Sequence, residues 1–345
     1  MLAQALYPEN IEPSELDEYL SNGWFRAGQT IFTTNFLSFK KIYYSAIWLR
    51  IIVADFVASS TQQKLLKQNA KFRVEIKPAI IDNEKENLFQ LYKTGIGFDA
   101  SETLQTLLFR DNTTSNIYNT FEINIYENKN IIACGFFDLG NETAAGITCF
   151  YNPAYKKYSL GKYLMLLKIL ECKKRGLKYF YPGYFVPGYK LFDYKLLLST
   201  NATEYLQLSS TKWLNIKLFT DLEIPLAVTT NKLLELQQAL FLKNVPTQLL
   251  KYRFFDAALM PNIYVSPLFD YPLFLFVNEI DSNFVTTVIV YDVRTNTYQV
   301  TKCIAIWESD LLNVPNQVYA TNLLQTLEVL FYFETLQEML DYLAL

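Results

Sequence analysis

Ser159, Leu160, Gly161 and Lys162 open a run in which residue types suited to holding an anion stand close together. Ser159 is a short hydroxyl residue of the kind that accepts from an orphan amide of a first helical turn. Leu160, Tyr163, Leu164, Leu167 and Leu170 then recur at helical spacing. The start of such a helix offers free amides and the positive end of its dipole, where phosphate or carboxylate binds. From Tyr151 to Lys195 there are ten Lys or Arg against two acids, Glu171 and Asp193. From Leu206 to Leu345 there are eight against fourteen. The net charge is −3, so affinity for nucleic acid would have to come from this local basic footprint. A solvated lysine-rich helix face accounts for the same count.

Other chemistry is short of residues. The 345-residue chain has no histidine and four cysteines, Cys134, Cys149, Cys172 and Cys303, with no C-x-x-C pair. A zinc or iron–sulfur site built on Cys and His is not expected, and no metal or cofactor is assigned. Each cysteine falls in an apolar pattern, which makes it a candidate buried thiol.

The elements that would position these residues follow from the same patterns. Lys173, Lys174 and Arg175 suit the negative end of a helix that Gly176 terminates. Leu177 to Tyr181 reads as a strand stopped at Pro182-Gly183. Upstream, Phe121 to Glu127, Asn130 to Asp138 and Thr143 to Phe150 read as three antiparallel strands with turns at Asn128-Lys129 and Gly140-Asn141. Before them come helices at Glu15–Asn22, Ser59–Asn69, Glu84–Gly95 and Ser101–Phe109. Strands are expected at Gln29–Phe39, Tyr43–Val53 and Phe72–Lys77. After Leu208 the expectation is a helix at Asn231–Lys243 and a strand at Phe274–Glu279. A hairpin of Val285–Val293 with Tyr298–Ile306 and a final amphipathic helix over Thr321–Leu343 complete it.

The fold class is α+β, in three units: 1–82, 83–208 and 209–345. With 51% hydrophobic and 19% charged residues, a large packed core is expected. Met1 to Leu20 has no signal-peptide character. No run approaches the ~18 apolar residues of a membrane span, and Arg50 and Asp55 interrupt Ser45–Ala58. A cytoplasmic protein without a membrane partner is expected.

Ser159 to Tyr163 (SLGKY) and Arg175 to Lys195 (RGLKYFYPGYFVPGYKLFDYK) resemble the C-terminal region of the aminoacyl-tRNA–protein transferases, the arginyl-transferases and their bacterial leucyl-transferring relatives. Gly23 to Gln29 (GWFRAGQ) resembles the family's entry motif. Arg50, Phe56, Ser59, Gln62, Gln63 and Asn69 fall along its next run. The resemblance covers roughly Ser14 to Lys195 and implies a GNAT-like mixed sheet with flanking helices. Three departures stand out. Pro182 replaces a usual leucine, Tyr158 replaces an arginine, and Thr33 to Lys40 lacks the clustered cysteines of many members.

The reaction implied by the resemblance moves arginine or leucine from aminoacyl-tRNA to the N-terminal amine of a protein with an acidic first residue, marking it for degradation. The ester is already activated, so the site must position, accept a proton and stabilise an oxyanion. Asp138, Tyr184 and Tyr194 are the catalytic candidates; Asp138 also reads as a strand-end turn residue. Arg26, Arg50, Ser159, Gly161, Tyr181, Lys190 and Lys195 are the substrate-binding candidates. Core packing for Tyr181, ion pairs for the arginines and surface charge for the lysines are the plainer readings. Two other functions stay open. An acyl-CoA-dependent N-acyltransferase would want more glycines than the single Gly161 at this turn. A non-catalytic binding protein would keep the fold alone.

Overall fold

The computed structural model describes residues 2–97, 101–110, 115–260, 267–277, 283–308, 319–320 and 322–343. The chain is an α+β protein with one large mixed sheet. A three-stranded antiparallel sheet comes first: β1 (Ala3–Leu6), β2 (Phe25–Ala27) and β3 (Thr30–Thr34), with β3 central. Helix α1 (Pro13–Ser21) lies between β1 and β2, and Glu12 with Glu15 caps it in a reciprocal box. A separate hairpin follows, β4 (Phe36–Phe39) and β5 (Ile42–Ser45). Its two-residue turn is Lys40-Lys41, both at positive φ, the backbone that two-residue hairpin turns require. The expected strands Gln29–Phe39 and Tyr43–Val53 are thus each divided in two.

The central sheet has eight strands: β6 (Ile47–Ile52), β7 (Arg73–Pro78), β8 (Thr120–Glu127), β9 (Asn130–Leu139), β10 (Thr143–Tyr151), β11 (Tyr179–Phe185), β12 (Thr203–Gln207) and β13 (Lys212–Asn215). Their order is β13-β12-β6-β11-β10-β9-β8-β7. Only β10 and β11 pair in parallel. The stretch before Asp82 therefore supplies two strands, β6 and β7, to the sheet that carries the rest. Helix α2 (Ser60–Asn69) is capped by Ser59 and Gln62. α3 (Asn83–Lys93) and α4 (Leu104–Phe109) precede the meander β8-β9-β10.

Helix α5 (Leu160–Lys174) then crosses the sheet and returns the chain to β11. This meander, helix and parallel return make the sheet GNAT-like. Leu160, Leu164, Ile169 and Cys172 of α5 are fully buried against Ile123, Ile125, Ala133, Phe137 and Phe180. Lys168 is buried among them. Its Nζ donates to the Phe136 and Thr148 carbonyls at 2.7 and 2.9 Å, beside the register shift between Gly146 and Thr148 of β10.

The C-terminal unit is a six-stranded sheet in the order β18-β14-β15-β16-β17-β19. Its strands are β14 (Gln248–Tyr252), β15 (Leu273–Phe276), β16 (Val285–Asp292), β17 (Thr297–Glu308), β18 (Tyr319–Ala320) and β19 (Asn322–Phe333). Helix α6 (Pro225–Leu242) packs Leu233, Leu236 and Leu240 on it, with Met339 and Leu340 of α7 (Leu336–Leu343). The hairpin β16–β17 is the expected one.

The expected final helix over Thr321–Leu343 is corrected. Asn322 to Phe333 is a strand on β17, and only the last eight residues are helical. Pairing with β17 supplies the backbone partners, and Glu338 bonded to the Thr335 and Glu334 amides starts the helix late. Thr321 lies outside the described residues, as do 278–279 of the strand expected at Phe274–Glu279. Across the molecule, the buried Asp270 carboxylate accepts from the amides of Leu2 and Ala3, fastening β1 to the C-terminal unit.

Candidate functional site

The central sheet opens between β10 and β11. The two strands pair only over Thr143–Ala145 and Tyr179–Tyr181. Pro182 has no amide hydrogen to extend the ladder, and the register of β11 on β6 shifts between Phe180 and Gly183. The expected stop at Pro182-Gly183 is thus a bulge: the strand runs on to Phe185. Gly183 sits at φ +88, and a Cβ there would lie 3.1 Å from Lys195 Nζ.

The chain turns back after β11 through the 3-10 helix Lys190–Lys195. This seats Lys195 beside the strand. Its Nζ donates to the Tyr184 carbonyl at 2.7 Å and lies 5.0 Å from the ring centres of Tyr184 and Phe192. Lys195 is buried, and among the described residues no carboxylate pairs with it. Burial brings its amine down to about 7, because a charge removed from water without a counter-ion favours its neutral form.

Tyr184 and Tyr194 border the same place. Tyr194 is partly exposed, and its electrostatic neighbours are Cys149, Tyr92 and Tyr184. Tyr92 packs on Tyr151 at 5.4 Å, and a Cβ on Gly161 would meet the Tyr151 ring at 3.5 Å. The start of α5 therefore adjoins this rim. Ser159 does not cap as expected. It sits at φ +50 with its side chain making no cap bond; only its carbonyl serves the helix, accepting from the Tyr163 amide at 3.1 Å. The left-handed backbone sets Ser159 apart from the extended geometry through which a hydroxyl reaches the first-turn amides. Lys190 is exposed on the 3-10 helix.

The remaining candidates form two separate groups. Arg50 pairs with Glu204 at 2.6 Å and lies over the rings of Tyr179 and Trp213 at 4.0 and 4.7 Å. Tyr181 is fully buried nearby, its hydroxyl without a hydrogen-bond partner among the described residues. Burial pushes that hydroxyl up to about 12, with Arg50 pulling the other way. Arg26 and Asp138 form the second group. The guanidinium donates to Asp138 at 2.9 Å, to Thr120 Oγ1 at 2.8 Å and to the Gly28 and Leu108 carbonyls at 2.7 Å. Thr120 also donates to Asp138 at 2.6 Å. Asp138 is fully buried, and burial raises its carboxyl against the pull of Arg26 and Thr120.

Residues not singled out in the sequence pack beyond Phe192, one of the two rings that face Lys195. Phe39 of β4 stacks on Tyr189 at 5.0 Å and lies 6.2 Å from Phe192; Tyr44 of β5 meets Tyr189 at 5.5 Å. Aromatics on both sides of Lys40-Lys41 were the available signal. The turn lacks the Asn-Gly or Asp-Gly pair that marks a tight hairpin.

The four cysteines are free thiols. Burial pushes Cys172 and Cys303 up to about 12. No group of three or more His, Cys, Asp or Glu among the described residues could hold a metal ion. Among those residues no helix is long and apolar enough to cross a membrane. A surface cavity of about 520 Å³ beside α6, lined by Leu234, Phe241, Val245 and Pro246, carries no titratable side chain.

The family described as "Arginine-tRNA-protein transferase, C terminus" matches residues 84–203. The aspartate/glutamate leucyltransferase of Leptospira interrogans serovar copenhageni is 30% identical over 181 residues, covering 51% of this chain and 69% of the relative. That of Campylobacter jejuni serotype O:6 is 26% identical over 184 residues, covering 51% and 74%. Among solved structures, a GCN5-related N-acetyltransferase from Kribbella flavida overlaps at TM-score 0.26 and 12% identity. The overlap covers 43% of this chain and 61% of that one.

Proposed function

Because the chain belongs to the aminoacyl-tRNA–protein transferase family, we propose that it moves an amino acid from the 3′ end of a charged tRNA to the N-terminal amine of a protein beginning with Asp or Glu. The amino acid is leucine, the one named in the relatives; arginine, named in the family model, is the competing outcome. The reaction belongs in the cytoplasm, with the charged tRNA.

One observation carries the chemical part of this reading: a buried amine, without a carboxylate partner, where the sheet opens. The substrate amine attacks the ester carbonyl. A C–N bond forms, the C–O bond to the ribose breaks, and the attacking nitrogen gives up a proton. Lys195, neutral in part at pH 7, accepts that proton, and its affinity matches an α-amine of ordinary pKa about 7.7–8. Tyr184 and Tyr194 are the candidates to pass a proton to the leaving ribose oxygen. Asp138, closed in by Arg26 and Thr120, holds the sheet together behind them. Arg50 borders the opposite side of β11, and Lys190 supplies surface charge for the tRNA.

The test is incubation of the purified protein with leucyl-tRNA, arginyl-tRNA or acetyl-CoA and peptides starting with Asp, Glu or Ala. Transfer of leucine to the acidic peptides is expected. Transfer from neither tRNA, where a known transferase succeeds, rejects the reading. Transfer from acetyl-CoA alone replaces it with an N-acyltransferase.

A further inference from the structure

The hairpin β4–β5 carries rings on its strands and lysines at its turn. Phe39 and Tyr189 are half-buried and stacked, 5.0 Å apart with their planes 25° from parallel. Tyr44 and Phe192 extend the cluster on either side. Lys40 at the hairpin turn and Lys190 beside Tyr189 are both exposed. Asp193, on the same 3-10 helix as Lys190, is the opposing charge. Lys195, whose Nζ lies 5.0 Å from the centre of the Phe192 ring, ties this cluster to the place where the sheet opens.

Half-exposed stacked aromatics flanked by cations fit an unpaired nucleic-acid strand. Every base has a face to stack, and each phosphate a charge to pair. A duplex would hide those faces, and an apolar peptide would gain nothing from the lysines. The unpaired nucleotides at the 3′ end of a tRNA are single-stranded and must reach this region if the ester is to react there.

We propose that Phe39, Tyr189 and Lys40 form the platform that receives the unpaired 3′ nucleotides of the tRNA, holding a base by stacking outside Lys195. This rests on the transferase reading above, and it assigns the acceptor end to the β4–β5 hairpin.

Binding of uncharged tRNA is compared with that of the same tRNA trimmed of its unpaired 3′ nucleotides. Wild type should prefer the intact tRNA by about 5- to 150-fold, the range one stacked base supplies. The pair Phe39→Leu and Tyr189→Leu should bring that preference to about one, while Phe39→Tyr and Tyr189→Phe keep it. Lys40→Ala should lower the salt slope of binding by about one. Tyr189→Trp serves should the leucine variants not fold: its indole emission should change with intact tRNA and not with trimmed. Unchanged discrimination in the folded leucine variants, or an indole blind to the 3′ end, overturns the platform. So does a finding that the leucine variants alter only self-association. A wild type that discriminates intact from trimmed tRNA but transfers nothing would reject the transferase reading and leave the platform standing. One that transfers, with leucine variants still discriminating, would do the reverse.

Discussion

Asp138 on β9 and Lys195 beside β11 are both buried ionisable groups, and their surroundings differ in kind. Asp138 has Arg26 at 2.9 Å and Thr120 at 2.6 Å, and the guanidinium is spent on four acceptors. Lys195 has one neutral partner, the Tyr184 carbonyl, and two ring faces. A charge enclosed with its counter-ion has attraction to set against desolvation, as Arg26 and Thr120 pull against the burial that raises Asp138. A charge enclosed without one is held near the pH at which it gives up its proton. On the proposed reading, Asp138 belongs to a junction that joins the N-terminal strands to the sheet, and Lys195 is the group that exchanges protons.

The largest expected effect is on Lys195. Lys195→Met should lower transfer by about 10²- to 10⁴-fold, the usual contribution of a positioned base, in single-turnover assays at saturating tRNA. Transfer by wild type should rise with pH through about 7, ahead of the limb near 8 that belongs to the substrate amine. The variant should keep only the second limb. Its stability should also change in a set direction. Between about 7 and the ordinary value of 10.5, the unfolded chain binds the Lys195 proton more tightly than the folded one. Stability therefore rises with pH across that window, and urea midpoints of Lys195→Met should lose that rise. A variant with full activity would place Lys195 among structural residues.

Next in size is the Asp138 junction. Arg26→Met should cost about 3–5 kcal/mol by leaving a buried carboxylate unpaired, read as a shift in urea midpoint. Asp138→Asn should destabilise while leaving activity per folded molecule close to wild type. A large loss of rate at unchanged stability would instead make Asp138 the base. The smallest effects contrast two serines. Ser59 accepts from the Gln62 amide in a reciprocal cap, so Ser59→Ala should cost about 1 kcal/mol. Ser159 makes no such bond, so Ser159→Ala should change stability by less than about 0.5 kcal/mol. Ser159→Gly should stabilise, since glycine adopts positive φ without strain.

The meander β8-β9-β10 and helix α5 were legible because each buries one face or a continuous apolar run, and burial writes its period into the sequence. What escaped depends on partners remote along the chain. Nothing near Arg26 announces Asp138, and nothing near Lys195 announces that Gly183 and Phe192 will shut out water. The bulge at Pro182 was read as a strand end because the proline's missing donor has the same signature in both. The strand β19 read as a helix because Leu323, Leu324, Leu327, Leu330 and Phe331 also fall at helical spacing. The neighbour that decided the matter, β17, lies in another part of the sequence.

Asp270 fastens the amides of Leu2 and Ala3, 268 and 267 residues away along the chain. On an emerging polypeptide that clasp has a temporal meaning. Leu2 is made some 268 residues before its acceptor. Closing so long a loop costs roughly 5 kcal/mol of chain entropy, so local pairing of β3 with β2 should precede it. Strand β1 can pair with β3 early, while its hold on the C-terminal unit waits for Asp270.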